Sequence, residues 1–589
     1  MLTFIHALAL ALPFGSDGAA HATVLELTLR DAVDDLIATG RLALDEGKLD
    51  EAEQAFGAAA ARDEARGSIW QMRVQLSRGA VDDVLGRLSS LRRKGQEGPD
   101  HTYLWGIAFA TRVEMDLASG NTGNAGLMIK DARRELESAC ASDATRYRDA
   151  HLYLARICRH DGDHAASVAA AKRATEFYPK AVEAQELIGR GTLAQFAAVS
   201  ADASKKAEAD AFMAESVAAF TKAIDLVGRP RGGGDQALVS TLYAQLGDAH
   251  AFGKRTADAS NAYAEAIGWE PAGFDYTRAY NVLGVDEMVK CLDAGRALFT
   301  KRAEPTDARM ATVLWWQGYA LFSQKDLARN EEAEKCFADC MALWPAYTNA
   351  WYYTARLRFD RSDLDGALAA LRTLDALVDR SSGADAPRVN PELVALVQYD
   401  PKDVNRLFGI IEHCMGKTPA ALEDAAFLTE IQCAAFPAQH DYWNNLGLFW
   451  RDAADLHVGR KGRTGMNDAE RARFMPMYER SFEAYTQALD LSPGNPAYLN
   501  DGAVILHFYL ERDYDRALAM YAEASSKAQE RLAKGDLSDF ERTVIETALR
   551  DSKDNRRQLE RKIEAEKRRE EKRKEEEERK KEEGGGAGD

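Results

Sequence analysis

The sequence predicts an all-α fold: an α-solenoid of stacked antiparallel helical hairpins, followed by a charged C-terminal helix. Three observations predict it. Long alternating runs of Val, Ile and Thr closed by Asn-Gly or Asp-Gly, which strands and their turns need, are absent from the 589 residues. Most of the 15 prolines fall at the ends of helix-like segments, where the ring does not interrupt a helix interior. A pair of short signatures also recurs along the chain at a fixed offset.

The individual hairpins follow from that recurrence. In its fullest copy Tyr243 is followed three positions later by Leu246 and then Gly247; twelve positions on come Ala259, Tyr263 and Ala266, closing at Pro271. Two antiparallel helices approach closely only where Gly or Ala faces the partner, and the aromatic ring fills the groove toward the next hairpin. The offset is kept by Gly40 with Ala52, Phe56 and Ala59, by Ala155 with Ser167, Ala171 and Ala174, and by Ala355 with Ala367 and Leu371. Extra residues separate the halves in Gly318 with Ala333, Phe337 and Cys340, in Gly447 with Ser481, Tyr485 and Ala488, and in Gly502 with Ala517, Tyr521 and Ala524. Ser216, Phe220 and Ala223 form a further second half, after a first helix extended beyond Gly189.

This pattern resembles the tetratricopeptide repeat, a helical hairpin of about 34 residues. The resemblance implies a right-handed superhelix of roughly eight to ten hairpins over residues 23–535. Residues 67–140, 276–310 and 380–435 match poorly, and hairpins are expected there because the helical periodicity continues. In that family the first helices line a concave groove, and side chains two positions after the large first-helix residue point into it. The matching positions here are Tyr153, Gln245, Tyr353, Asn445 and Asn500, with Asn349, Tyr352, Arg356, Asp441 and Asn444 flanking them. Amides offer a peptide backbone both donor and acceptor, and Tyr adds apolar contact with a polar tip. The implied partner is therefore an extended peptide or a partner domain. The Lys and Asn arrangement with which some family members clamp a C-terminal carboxylate is not reproduced.

Outside the repeats, the first 22 residues read as a secretory signal: an apolar run from Leu2 to Phe14, then Ala20-His21-Ala22 as a small-x-small cleavage site before Thr23. No Lys or Arg precedes Arg30, so the positive end rests on the terminal amine. Export is expected, with a cytosolic protein as the alternative. No membrane span is expected in the mature chain. The net charge of −18, from 94 acidic and 76 basic side chains, argues against a nucleic-acid surface. Residues 457–465, which include Arg460, Lys461 and Arg463, form a basic Gly-rich loop without the Gly-x4-Gly-Lys spacing of a phosphate cradle. Residues 536–583 read as a charged, solvated helix with acids four positions ahead of bases, as in Glu570/Lys574, and 584–589 as a flexible Gly-rich tail. A regulatory or accessory subunit acting through that helix or the basic loop is the alternative to groove binding.

No catalytic, metal or cofactor site is expected. The seven cysteines are irregularly spaced, and Cys336 and Cys340 fit packing positions. His160-Asp161-Gly162-Asp163-His164 is read as the turn of a hairpin, not as a metal site. His413-Cys414 has no identifiable third member of a nucleophilic triad, and the repeats leave no domain-sized stretch for a catalytic fold.

Overall fold

The computed structural model describes residues 18–304, 306–379, 387–400, 402–416, 418–459 and 465–584. The chain divides into two compact units, Met1–Pro305 and Thr306–Asp589. The described residues of both are helical, without a strand.

In the first unit the hairpins are α1 (Gly18–Asp45) with α2 (Leu49–Ala60), α3 (Glu64–Ser77) with α4 (Val81–Arg93), α5 (Pro99–Ala118) with α6 (Thr122–Ser142), α7 (Ala150–His160) with α8 (His164–Phe177), α9 (Val182–Val199) with α10 (Lys206–Val227), and α11 (Gly233–Phe252) with α12 (Thr256–Trp269). A short α13 (Tyr276–Leu283) then leads to α14 (Val285–Thr300), which packs on α12. Residues 67–140 thus hold helices in the hairpin order. Most of the leader-like segment lies outside the described residues, and its expected cleavage point falls within α1.

The second unit runs α15 (Met310–Ser323) with α16 (Asn330–Leu343), α17 (Thr348–Asp360) with α18 (Leu364–Ala376), and then three helices, α19 (Pro391–Tyr399), α20 (Lys402–Cys414) and α21 (Pro419–Ala435). It continues with α22 (His440–Val458) paired with α23 (Asp468–Leu491), and α24 (Pro496–Val504) paired with α25 (Tyr514–Lys534). The long C-terminal helix is α26 (Asp539–Gly584).

One contact recurs in five of the hairpins, while Gly502 of the α24/α25 pair meets Met520 and not the expected Tyr521. The first-helix glycine lies against the second-helix ring in Gly40/Phe56, Gly189/Phe220, Gly247/Tyr263, Gly318/Phe337 and Gly447/Tyr485, and a Cβ at any of them would collide with that ring. At Gly247 it would sit 2.5 Å from the Tyr263 ring. Where the second signature begins with Ser, its hydroxyl donates back to the small residue's carbonyl: Ser167 to Ala155 (2.8 Å), Ser216 to Gly189 (2.8 Å) and Ser481 to Gly447 (2.6 Å). Insertions leave this contact intact. The residues added between Trp450 and Met477 mostly become extra turns of α22 and α23, leaving a short connection of which 460–464 lie outside the described residues.

The turns follow a second rule. Gly162, at φ +79°, turns α7 into α8, and Asp163 caps α8 by accepting from the Ala166 N–H (3.0 Å) while Arg133 bridges Asp161 and Asp163. Lys254, Lys325 and Ser362 take the same left-handed conformation at three later hairpin turns.

The C-terminal helix corrects the expectation of a solvated segment from residue 536 on. Its first half packs on α24 and α25 and buries Ile545, Ala548, Ser552 and Leu559, spaced three, four and seven residues apart on one face. Ser525 and Ser552 share a hydrogen bond (2.8 Å), and Lys562 pairs with Glu511 (2.9 Å). From Glu564 to Lys580 every residue is exposed. The helix docks beside a π-helical turn, Ile505–Leu510, in which His507 is buried, 3.3 Å from the Tyr521 hydroxyl.

Two stability tests follow. Gly247→Val is expected to lower stability by about 2 kcal/mol through the collision with Tyr263, whereas Gly86→Ala, at an exposed helical glycine with open space around it, raises it by about 0.5–1 kcal/mol; chemical unfolding midpoints distinguish the two. Burial, with the Lys562 ammonium nearby, lowers the His507 pKa from 6.5 to about 4. As pH falls through that window the unfolded chain binds a proton that the folded chain refuses, so the stability present above pH 6.5 is lost toward pH 4. His507→Gln removes that dependence, worth about 3 kcal/mol at most, and comparing unfolding at the two ends of the window checks it.

Candidate functional site

The first-helix side chains of the first unit are largely engaged by the chain itself. The connection between α6 and α7 lays Tyr147 against Tyr103 (4.7 Å between ring centres), with Trp70 beyond (6.4 Å). Asp100 accepts hydrogen bonds from Arg146 (2.7 and 2.8 Å), the Tyr147 hydroxyl (2.5 Å) and Trp70 Nε1 (3.2 Å). Burial opposes its charge, but those donors overcome it and hold the carboxyl below its usual range. Asp149 accepts from Tyr103 (2.8 Å) and the buried Arg73 (2.9 Å).

Tyr153, on α7, lies half-buried beneath the guanidiniums of Arg73 (5.7 Å) and Arg156 (4.9 Å). Gln245, on α11, donates to Glu186 (3.0 Å), while its own Oε1 is buried without a hydrogen-bond partner among the described residues. Between them lies a cleft of about 320 Å³, lined by Glu114, Arg156, Arg159, Glu183, Glu186 and Arg190. Arg156 and Glu183 pair across it. Acids and bases alternate there and largely satisfy one another.

In the second unit the residues expected to face a groove separate. Tyr353 stands in an aromatic cluster with Trp315 (6.1 Å), Tyr319 (5.3 Å) and Phe322 (5.4 Å), and burial pushes its phenol up to about 12. Arg356 lies over the Phe322 and Tyr353 rings and pairs with Asp400 (2.9 Å) and Asp403 (3.4 Å); Tyr352 also donates to Asp403. Tyr353 and Arg356 therefore tie α17 to its neighbours. Asn444 and Asn445 are half-buried on α22, and the Asn444 Oδ1 is buried without a hydrogen-bond partner among the described residues.

Asn500 needs correction as a groove residue. It is buried, donates to Asp501 (3.2 Å) and accepts from Asn555 (3.4 Å), so the first half of α26 covers it. The polar residues at 552 and 555 hid that seam in the sequence.

Asn349 lines an open cleft, of about 560 Å³, between the start of α17 and α19. Trp344, Tyr347, Glu392, Leu396 and Tyr399 complete it. Trp344 is 48% exposed and Tyr399 86%. The sequence reading did not single out Trp344 or Tyr399. Trp344 carries a faint signal, since it precedes the Pro345 that closes a repeat, whereas Tyr399 ends a helix that no repeat copy marks.

Among the described residues no group of three His, Cys, Asp or Glu side chains is placed to hold a metal ion. No described helix is long and apolar enough to cross a membrane.

The small-residue/ring contact, present in five hairpins, gives the chain a tetratricopeptide-like helical-repeat fold. No family model matches the sequence, and no curated protein does. Solved structures similar to the chain include a tetratricopeptide repeat protein from Parabacteroides merdae (13% identity, 53% of this chain and 94% of that one, TM-score 0.23). The Cut9–Hcn1 hetero-tetramer of APC/C is another (12% identity, 88% and 96%, TM-score 0.24), as is the P58(IPK) TPR domain (14% identity, 76% and 99%, TM-score 0.17). Scores this low leave the assignment resting on the hairpin register.

The contacts of Arg356 assign it a structural part. Arg356→Ala is expected to lower stability by about 2 kcal/mol, because the buried Asp403 loses one of its cations. A thermal unfolding midpoint unchanged from the parent chain would remove that assignment.

Proposed function

We propose that this chain is a non-enzymatic protein-interaction scaffold that holds an extended segment of a partner protein. The observation that carries the reading is the α17/α19 cleft, where two large aromatics, Trp344 and Tyr399, stand open beside Asn349 and Glu392. A folded chain gains nothing by leaving such rings in water, and Trp and Tyr are the residues that concentrate binding energy at protein interfaces. Asn349 supplies the donor and acceptor that a peptide backbone needs. Stacked hairpins, in turn, present long surfaces suited to extended ligands. With the leader-like residues 1–22, the reading places the scaffold outside the cytosol after cleavage before Thr23, which sequencing of the native N-terminus checks.

The second reading, a cytosolic accessory subunit working through its charged helix, draws support from the exposed half of α26. One experiment separates the two. With a photo-crosslinking benzoylphenylalanine at position 399, a partner peptide is expected to be captured in native extract. Adding Trp344→Ser is expected to lower its yield roughly tenfold or more, the scale of losing one interface hot spot. A chain ended after Ala565, which keeps the docked half of α26, should retain the partner. Loss on that truncation, with retention by the Trp344 variant, would move function to the charged helix.

A further inference from the structure

One arrangement of three side chains recurs in this chain: a guanidinium lies over an aromatic ring while a neighbouring carboxylate pairs with it. Arg302 covers Trp269 (4.0 Å to the ring centre) and pairs with Glu265 (2.8 Å). Arg372 covers Phe427 (3.9 Å) and pairs with Asp424 (2.6 Å). Arg356 does the same with Tyr353 (5.2 Å) and Asp400 (2.9 Å). A guanidinium suits the middle place because its flat face stacks on the ring while its N–H edge still reaches the acid.

The α17/α19 cleft holds the ring and the carboxylate of such a triad without the cation. Trp344 meets Tyr347 edge to face (5.2 Å), which leaves Trp344 half exposed, and Tyr399 is more exposed still. Glu392 is the one charged side chain among the described residues that line the cleft. Thr348 donates to it, and it pairs with no cation among the described residues. An apolar occupant would cover the rings but strip water from an unpaired carboxylate, and an acidic one would meet it as a like charge. The eighteen net negative charges of the chain also favour the approach of a cation. A lysine ammonium would reach Glu392, but it is more strongly hydrated and has no flat face for the rings.

We propose, on the reading of this cleft as a peptide site, that it selects an arginine of the partner's extended segment, taken with its guanidinium against the exposed rings of Trp344 and Tyr399 and its N–H edge on the Glu392 carboxylate. The partner thus completes the triad that the chain elsewhere builds from its own residues.

Two synthetic pentapeptides serve as probes, acetyl-Gly-Ser-Arg-Ser-Gly-amide and its citrulline counterpart, which keeps the shape of arginine without the charge. Each is titrated into the full-length chain while the Trp344 indole N–H is followed by NMR, its resonance assigned by its loss in Trp344→Phe. The arginine peptide is expected to move that resonance saturably. The citrulline peptide should bind roughly fivefold more weakly, the scale of an exposed cation–π contact together with a surface ion pair. Glu392→Gln should narrow the gap to about twofold by leaving only the ring contact. Glu546→Gln, which removes an exposed acid from α26, should leave the gap as it is. Melting curves show whether each variant is folded. Equal binding of the two peptides, or a gap that folded Glu392→Gln leaves unchanged, overturns the proposal. Equal binding that Asn349→Ala weakens for both would keep the peptide site and remove only its choice of arginine. A Trp344 resonance that neither peptide moves overturns the proposal as well, and the crosslink from position 399 then decides the peptide site by itself.

Discussion

The close approach of a bare first-helix backbone to a second-helix ring is the constraint on which the rest of this protein depends. Gly247 against Tyr263 and Gly447 against Tyr485 are the same contact, although the residues are 16 apart in one and 38 in the other. Because the contact is local to one cross-section of the hairpin, helices can lengthen beyond it without disturbing the pairing. That freedom is used in α9/α10 and in α22/α23, where inserted residues extend the paired helices. The repeat tolerates variation in length and resists variation in volume, as expected of close-packed interiors.

The fold was legible because this contact leaves its mark in residue type. Gly or Ala opposite an aromatic can be read from spacing alone, and so can a turn such as His160-Asp161-Gly162-Asp163-His164. Less was legible where the physics is carried by residues without a type signature. Lys254, Lys325 and Ser362 adopt the left-handed turn conformation that a reader expects of glycine. The seam of α26 has Ser552 and Asn555 where apolar residues would have announced it.

The proposed binding surface is the least legible part. Spacing places a residue on or beside a helix face, as it does Asn349. It does not say whether the face is already occupied. Tyr353 and Arg356 are spent on Trp315, Tyr319, Asp400 and Asp403, and in the first unit Tyr147 and Asp149 fill the ground between Trp70, Arg73 and Tyr103. Tyr147, Asp149, Asp400 and Asp403 come from segments outside the repeat copies, so the repeat pattern carries no information about them. Trp344 and Tyr399 stand out by their exposure among the described residues.

The docked half of α26 also decides where the stack ends. Hairpins stack because each presents a face that accepts the next, and α24/α25 would offer such a face to any hairpin of suitable shape. Ile545, Ala548 and Leu559 occupy it, and the outward side of the helix is charged. Without that cover, the terminal hairpin of one molecule could receive the first hairpin of another. A head-to-tail contact of that kind builds rings where its rotation closes and open filaments where it does not. The docked half of the helix thus covers a face that the last hairpin would otherwise leave to water.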